Sequence, residues 1–128
     1  MDLQRDEQRA HRIVYRLAWM TARRKPVLTG AVARDCQRVI EQTCAARGWT
    51  ILTLDIQPAH VALLIQVWPR DSACDVLKAC KRTTAHELRV RHKKLLRLPS
   101  LWTRMYVAAT DGQLTSAQLE RWLAQGLG

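Results

Sequence analysis

Pro58-Ala59-His60-Val61-Ala62-Leu63-Leu64-Ile65-Gln66-Val67-Trp68 is a short, strongly apolar run, rich in β-branched residues and closed by Trp68-Pro69. Those features predict a strand. Successive side chains on a strand point to opposite faces. Val61, Leu63, Ile65 and Val67 therefore form an unbroken apolar row, while His60, Ala62, Leu64 and Gln66 share the other face. Any chemistry on this strand belongs to that second row.

The flanking segments supply three more strands and three helices. Arg12–Trp19 alternates, with Ile13, Tyr15, Leu17 and Trp19 on one side, and reads as the first strand. The basic run Arg23-Arg24-Lys25 follows it. Ala31–Arg47 carries Val32, Cys36, Val39, Ile40 and Cys44 at helical spacing, and Gly48 ends it as a C-terminal cap residue does. Trp49–Ile56 is the second strand, with Leu52, Leu54 and Ile56 on one face. A second helix over Asp71–Arg91 spaces Val76, Leu77, Cys80, Thr84 and Leu88 as one buried stripe, and Arg91–Pro99 is a basic connection. Leu101–Thr110 is the fourth strand. Thr115-Ser116-Ala117-Gln118 is a capping-box signal that opens a last helix, running to about Gln125. The order β-α-β-β-α-β plus a helix is an α+β, ferredoxin-like plan, with two helices on one sheet face and the other face open. That plan hosts many unrelated functions, so it decides nothing by itself.

The chain has 128 residues, enough for a single domain over residues 1–128 with a real core. Residues 1–11 are polar and charged and are expected to form a flexible arm. Lys and Arg total 21 against 11 Asp and Glu, a formal charge of +10. A field of that sign attracts phosphates, and nucleic acid is the commonest polyanionic partner. No apolar run approaches the ~20 residues needed to span a bilayer. The expectation is a cytoplasmic protein with no membrane partner. Cys36, Cys44, Cys74 and Cys80 show no paired two-residue spacing, which argues against a zinc site or a disulfide framework.

If the apolar rows pack on the helices, the opposite rows line the open face. Those rows carry Arg12 and Arg16, then His60, Ala62 and Gln66, then Arg104 and Tyr106. The first and third strands are neighbours in this plan, which puts Arg16 near His60. Guanidinium groups take phosphates, and a tyrosine ring stacks a base. The candidate nucleic-acid contacts are therefore Arg12, Arg16, Arg23, Arg24, Lys25, Lys81, Arg104 and Tyr106. The bland alternative is a solvated sheet face with ordinary surface arginines.

The chain also resembles a known family, the single-tyrosine HUH transposases of small insertion sequences and their REP-associated relatives. The family's central strand reads Pro-Asp-His-hydrophobic-His-Leu-Leu, and here the frame is Pro58-Ala59-His60-Val61-Ala62-Leu63-Leu64. Tyr15-Arg16-Leu17-Ala18-Trp19 matches the opening strand, usually Tyr-His-Leu-Val-Trp. Leu101-Trp102-Thr103-Arg104-Met105-Tyr106-Val107-Ala108-Ala109-Thr110 follows the family's Leu-Trp-Ser-Arg-Gly-Tyr-Phe-Val-Ala-Thr. Leu77-Lys78, Lys81, Thr84, Ala85 and Leu88 approximate its second-helix pattern. The matches run from about Tyr15 to Gln125.

The resemblance implies a homodimer in which two sheets join, and single-stranded or hairpin DNA as ligand. In the family, two histidines and a glutamine hold a divalent Mg or Mn ion that polarises the scissile phosphate. A tyrosine on the last helix attacks and is linked to the 5′ phosphate. Here His60 remains as a residual metal-ligand candidate, but Ala62 stands where the second histidine should be. Trp122 stands at the nucleophile position, and indole offers a donor but no nucleophilic oxygen. Gly126 stands where the glutamine should be, with Gln125 one residue early and so rotated by about 100°. The catalytic positions Ala62, Trp122 and Gly126 are thus degenerate, and no cofactor is expected. The reading is a transposase-like DNA-binding protein that has lost strand cleavage. The alternatives are an active transposase with an altered site, and an RNA-binding or adaptor module on the same fold.

Overall fold

The computed structural model describes residues 4–5, 10–11, 13–110 and 116–125. Gln4–Arg5 (β1) and Ala10–His11 (β2) form a short antiparallel pair. The body then runs β3 (Ile13–Thr21), α1 (Gly30–Ala46), β4 (Thr50–Gln57), β5 (His60–Val67), α2 (Ala73–Arg91), β6 (Trp102–Thr110) and α3 (Ser116–Gln125). The expected order holds, with ends displaced by a residue or two, as helix and strand termini commonly are. The segment expected as a basic connection also contains a 3-10 helix, Lys93–Arg97, which buries Leu95.

The four long strands form one antiparallel sheet in the order β4-β5-β3-β6. Val61, Leu63, Ile65 and Val67 are buried beneath α1 and α2 together with Leu17 and Trp19. From α1 come Val32, Cys36, Ile40 and Cys44, and from α2 Val76, Leu77, Cys80 and Leu88. Burial pushes the Cys36 thiol up to about 12, so it packs as a neutral hydrophobe. The four cysteines are free thiols. Ser72 caps α2 through a reciprocal pair with Asp75, at 3.0 and 3.1 Å. Gly48 ends α1 at φ +73°, where a Cβ would stand 3.2 Å from the Trp68 indole nitrogen.

The pairing registers correct the expected faces at two places. The β4–β5 register shifts between Ile51 and Thr53, so Ile51, Leu54 and Ile56 pack on the core rather than Leu52, Leu54 and Ile56. The β3–β6 register shifts between Trp19 and Thr21. That shift is by two residues and leaves the alternation intact; Tyr106 lies directly opposite Trp19 and shares its helix-covered side, not the open face.

Candidate nucleic-acid interface

The face of the sheet away from α1 and α2 is built by strand alternation. Arg16 is paired with Leu64, Ala18 with Ala62 and Met20 with His60 across β3 and β5. On the other flank Asp55 stands opposite Ala62, and Gln57 opposite His60. Leu123 of α3 docks on this face, only 8% exposed, against Ala18, Met20, Ala62 and Val107. The face is therefore partly roofed rather than open. Between roof and strands runs a groove of about 630 Å³, lined by Arg16, Asp55, Gln57, His60, Ala62 and Ala124 among others.

Its polar groups are placed by short-range chemistry. Gln57 Nε2 donates to Asp55 Oδ1 at 2.8 Å. Burial lowers the His60 pKa below its ordinary value, and the nearby Asp55 carboxylate opposes that shift. The Arg23-Arg24-Lys25 turn lies at the His60 end. Thr21 anchors it there, its backbone N–H bonding Ala59 O at 2.9 Å and its hydroxyl donating to Lys25 O at 2.8 Å. Arg24 Nη2 donates to Leu123 O at 3.2 Å and so holds α3 over the groove. Arg23 and Arg24 both sit at positive φ, 55° and 53°.

The predicted residues thus divide. Arg16 and His60 share the groove, with Arg23, Arg24 and Lys25 at its end. Tyr106 and Lys81 lie elsewhere, in a small pocket on the α2 side with Lys78 and Arg82. Lys81 Nζ donates to Thr103 O at 2.8 Å, and burial lowers its ammonium pKa. Arg104 is exposed within the β6 irregularity. Gln66 is on the expected face but only 6% exposed. Arg12, Gly126 and the side chain of Trp122 lie outside the described residues. Sequence reasoning missed Asp55 and Gln57, although the alternation of the second strand already set them on its polar face.

The HUH metal set does not fit the residues present. Position 62 offers a methyl group, which has no lone pair, beside the single imidazole of His60. Among the described residues no three His, Cys, Asp or Glu side chains converge as a metal site.

Residues 9–125 match the family described as "Transposase IS200 like". The chain belongs to the IS200-like transposases. It is 26% identical over 126 residues to the ISDra2 transposase TnpA of Deinococcus radiodurans, covering 96% of this chain and 90% of that one. A crystal structure from Deinococcus radiodurans R1, described as that of a transposase, superimposes with a TM-score of 0.87 at 24% identity, covering 96% of this chain and 97% of its own. A REP-associated tyrosine transposase bound to a REP hairpin gives 0.61 at 13% identity, over 98% of this chain and 75% of that one. At those identities the two structures bear on the fold alone.

Proposed function

We propose that this IS200-like chain binds single-stranded or hairpin DNA without cutting it. The observation that carries the reading is the groove itself. Arg16 and His60 remain on the sheet face where the family works, while position 62 presents a methyl group. The +10 charge and the basic Arg23-Arg24-Lys25 turn at the groove's end add to it. A phenol at position 122 is absent from the sequence, so the attacking group of the family chemistry is missing as well as its metal set.

We further propose a homodimer joined through a sheet edge. β6 is an edge strand, and it carries the exposed Met105 and Tyr106. We also propose a cytoplasmic location, with the DNA it would bind. No helix among the described residues is long and apolar enough to cross a membrane.

A denaturing gel with labelled hairpin DNA and Mn²⁺ tests the loss of cleavage. Neither a cut product nor a shifted protein band is expected, and a covalent band abolished by Tyr15→Phe or Tyr106→Phe would sink the proposal. Competition among DNA hairpins, RNA and duplex tests the ligand. RNA displacing the hairpin at lower concentration would favour the RNA-binding alternative.

A further inference from the structure

We propose that the groove beneath α3 is a pocket for one unpaired guanine base, read by the Asp55 carboxylate. This rests on the DNA-binding reading above and adds the identity of the base.

The groove contains a group that a phosphate site would not. Asp55 stands directly across from Ala62, on the edge strand β4, and its carboxylate lines the groove. An ionised carboxylate only accepts hydrogen bonds, and it repels phosphate. Its complement is a group with N–H donors. Gln57 Nε2 holds Oδ1 at 2.8 Å, which leaves Oδ2 and a second lone pair of Oδ1 for a ligand.

Among the unmodified bases, only guanine presents two adjacent N–H donors on its pairing edge, N1–H and the 2-amino group. Adenine and cytosine set one donor beside an acceptor, and the N3–H of thymine lies between two carbonyls. A carboxylate accepting two parallel bonds therefore selects guanine, as it selects the guanidinium fork. Single strands are read in this way, by hydrogen bonds to the pairing edges of splayed bases.

The rest of the pocket suits a flat ring. Ala62 and Leu64 give an apolar floor, and Leu123 and Ala124 of α3 an apolar wall. The volume of about 630 Å³ falls in the usual range for small-ligand sites, about 300–1,000 Å³. Arg16 and His60 line the same groove, on the side where the acceptors of guanine or the adjoining phosphate would be met. The methyl group at position 62 is what leaves the floor free of a competing polar group.

The test uses the full chain and a short fluorescein-labelled thymidine strand carrying one central guanine, inosine, adenine or cytosine. Affinities are read by fluorescence anisotropy. Inosine lacks only the 2-amino group, so the guanine strand is expected to bind about tenfold more tightly than the inosine strand. Asp55→Asn, at an exposed position, should bring that ratio to near one. Equal affinity for all four strands overturns the pocket while leaving DNA binding intact, as does a guanine preference that survives Asp55→Asn. Binding of Mn²⁺ through Asp55 without any guanine preference also overturns it, in favour of a cation. Failure to bind any of these strands or a DNA hairpin overturns the DNA-binding reading itself.

Discussion

Two successive arginines at positive φ are the most unusual backbone feature among the described residues. A non-glycine residue held there costs about 1 kcal/mol or more, and such strain tends to collect at functional sites. Arg23→Gly is expected to raise stability in urea denaturation by up to about 1 kcal/mol while weakening DNA binding in the same preparation. Weaker stability without loss of affinity would mean that the turn is merely structural. The second prediction at this scale concerns His60, whose folded pKa lies below the ordinary value of about 6.5. As pH falls below that value the unfolded imidazole takes a proton that the native one resists. The native state therefore loses stability from about pH 6.5 down to the lowered folded pKa, and gains nothing from this group above it. His60→Gln should remove that part of the slope when stability is compared across a pH series. Arg24 shows where the sequence stops informing. Nothing in its neighbours foretells a hydrogen bond to Leu123, 99 residues away.

Apolar periodicity made the elements legible. The stripes of α1 and α2 and the buried row of β5 are those the spacing of Val32 to Cys44, Val76 to Leu88 and Val61 to Val67 implied. Faces were less legible wherever a strand carries an irregularity, because one extra residue moves all later side chains to the other side. That is why Ile51 rather than Leu52 faces the core in β4. In β6 the shift sets four residues against two and keeps the alternation, so Tyr106 is on the same side as Trp102, beside Lys78, Lys81 and Arg82. The docking of α3 was half visible, since the capping-box signal at Thr115-Ser116-Ala117-Gln118 announced a helix but not the face it covers. Leu123→Ala is expected to cost about 2 kcal/mol or more and to speed hydrogen exchange in α3 ahead of the central sheet. Uniform acceleration across the chain would instead make α3 part of the global folding unit. On β5, Ala62→His would set a second imidazole two residues from His60 and across from Asp55. Calorimetry should then show tighter Mn²⁺ binding than in the parent. An unchanged affinity would mean that positions 60 and 62 do not face a common site.

At the scale of the whole molecule, positive charge is divided between two sides of one sheet, with Arg16 on the groove side and Lys78, Lys81 and Arg82 on the α2 side. If single-stranded DNA follows the groove, affinity should fall with salt at a slope of about −0.7 per phosphate neutralised. Arg16→Ala combined with Arg24→Ala should flatten that slope by about 1.4, two contacts' worth, in titrations over a range of salt. A slope unchanged by the pair would move the phosphate path to the α2 side. The edge position of β6 carries a last consequence for the proposed dimer. Two copies of one strand pair antiparallel only about a twofold axis perpendicular to the sheet, and such an axis keeps like faces together. Both grooves then look out on the same side. A DNA that seats one of them raises the effective concentration of its remaining length at the other, so avidity would be set by the spacing along the strand rather than by any further contact.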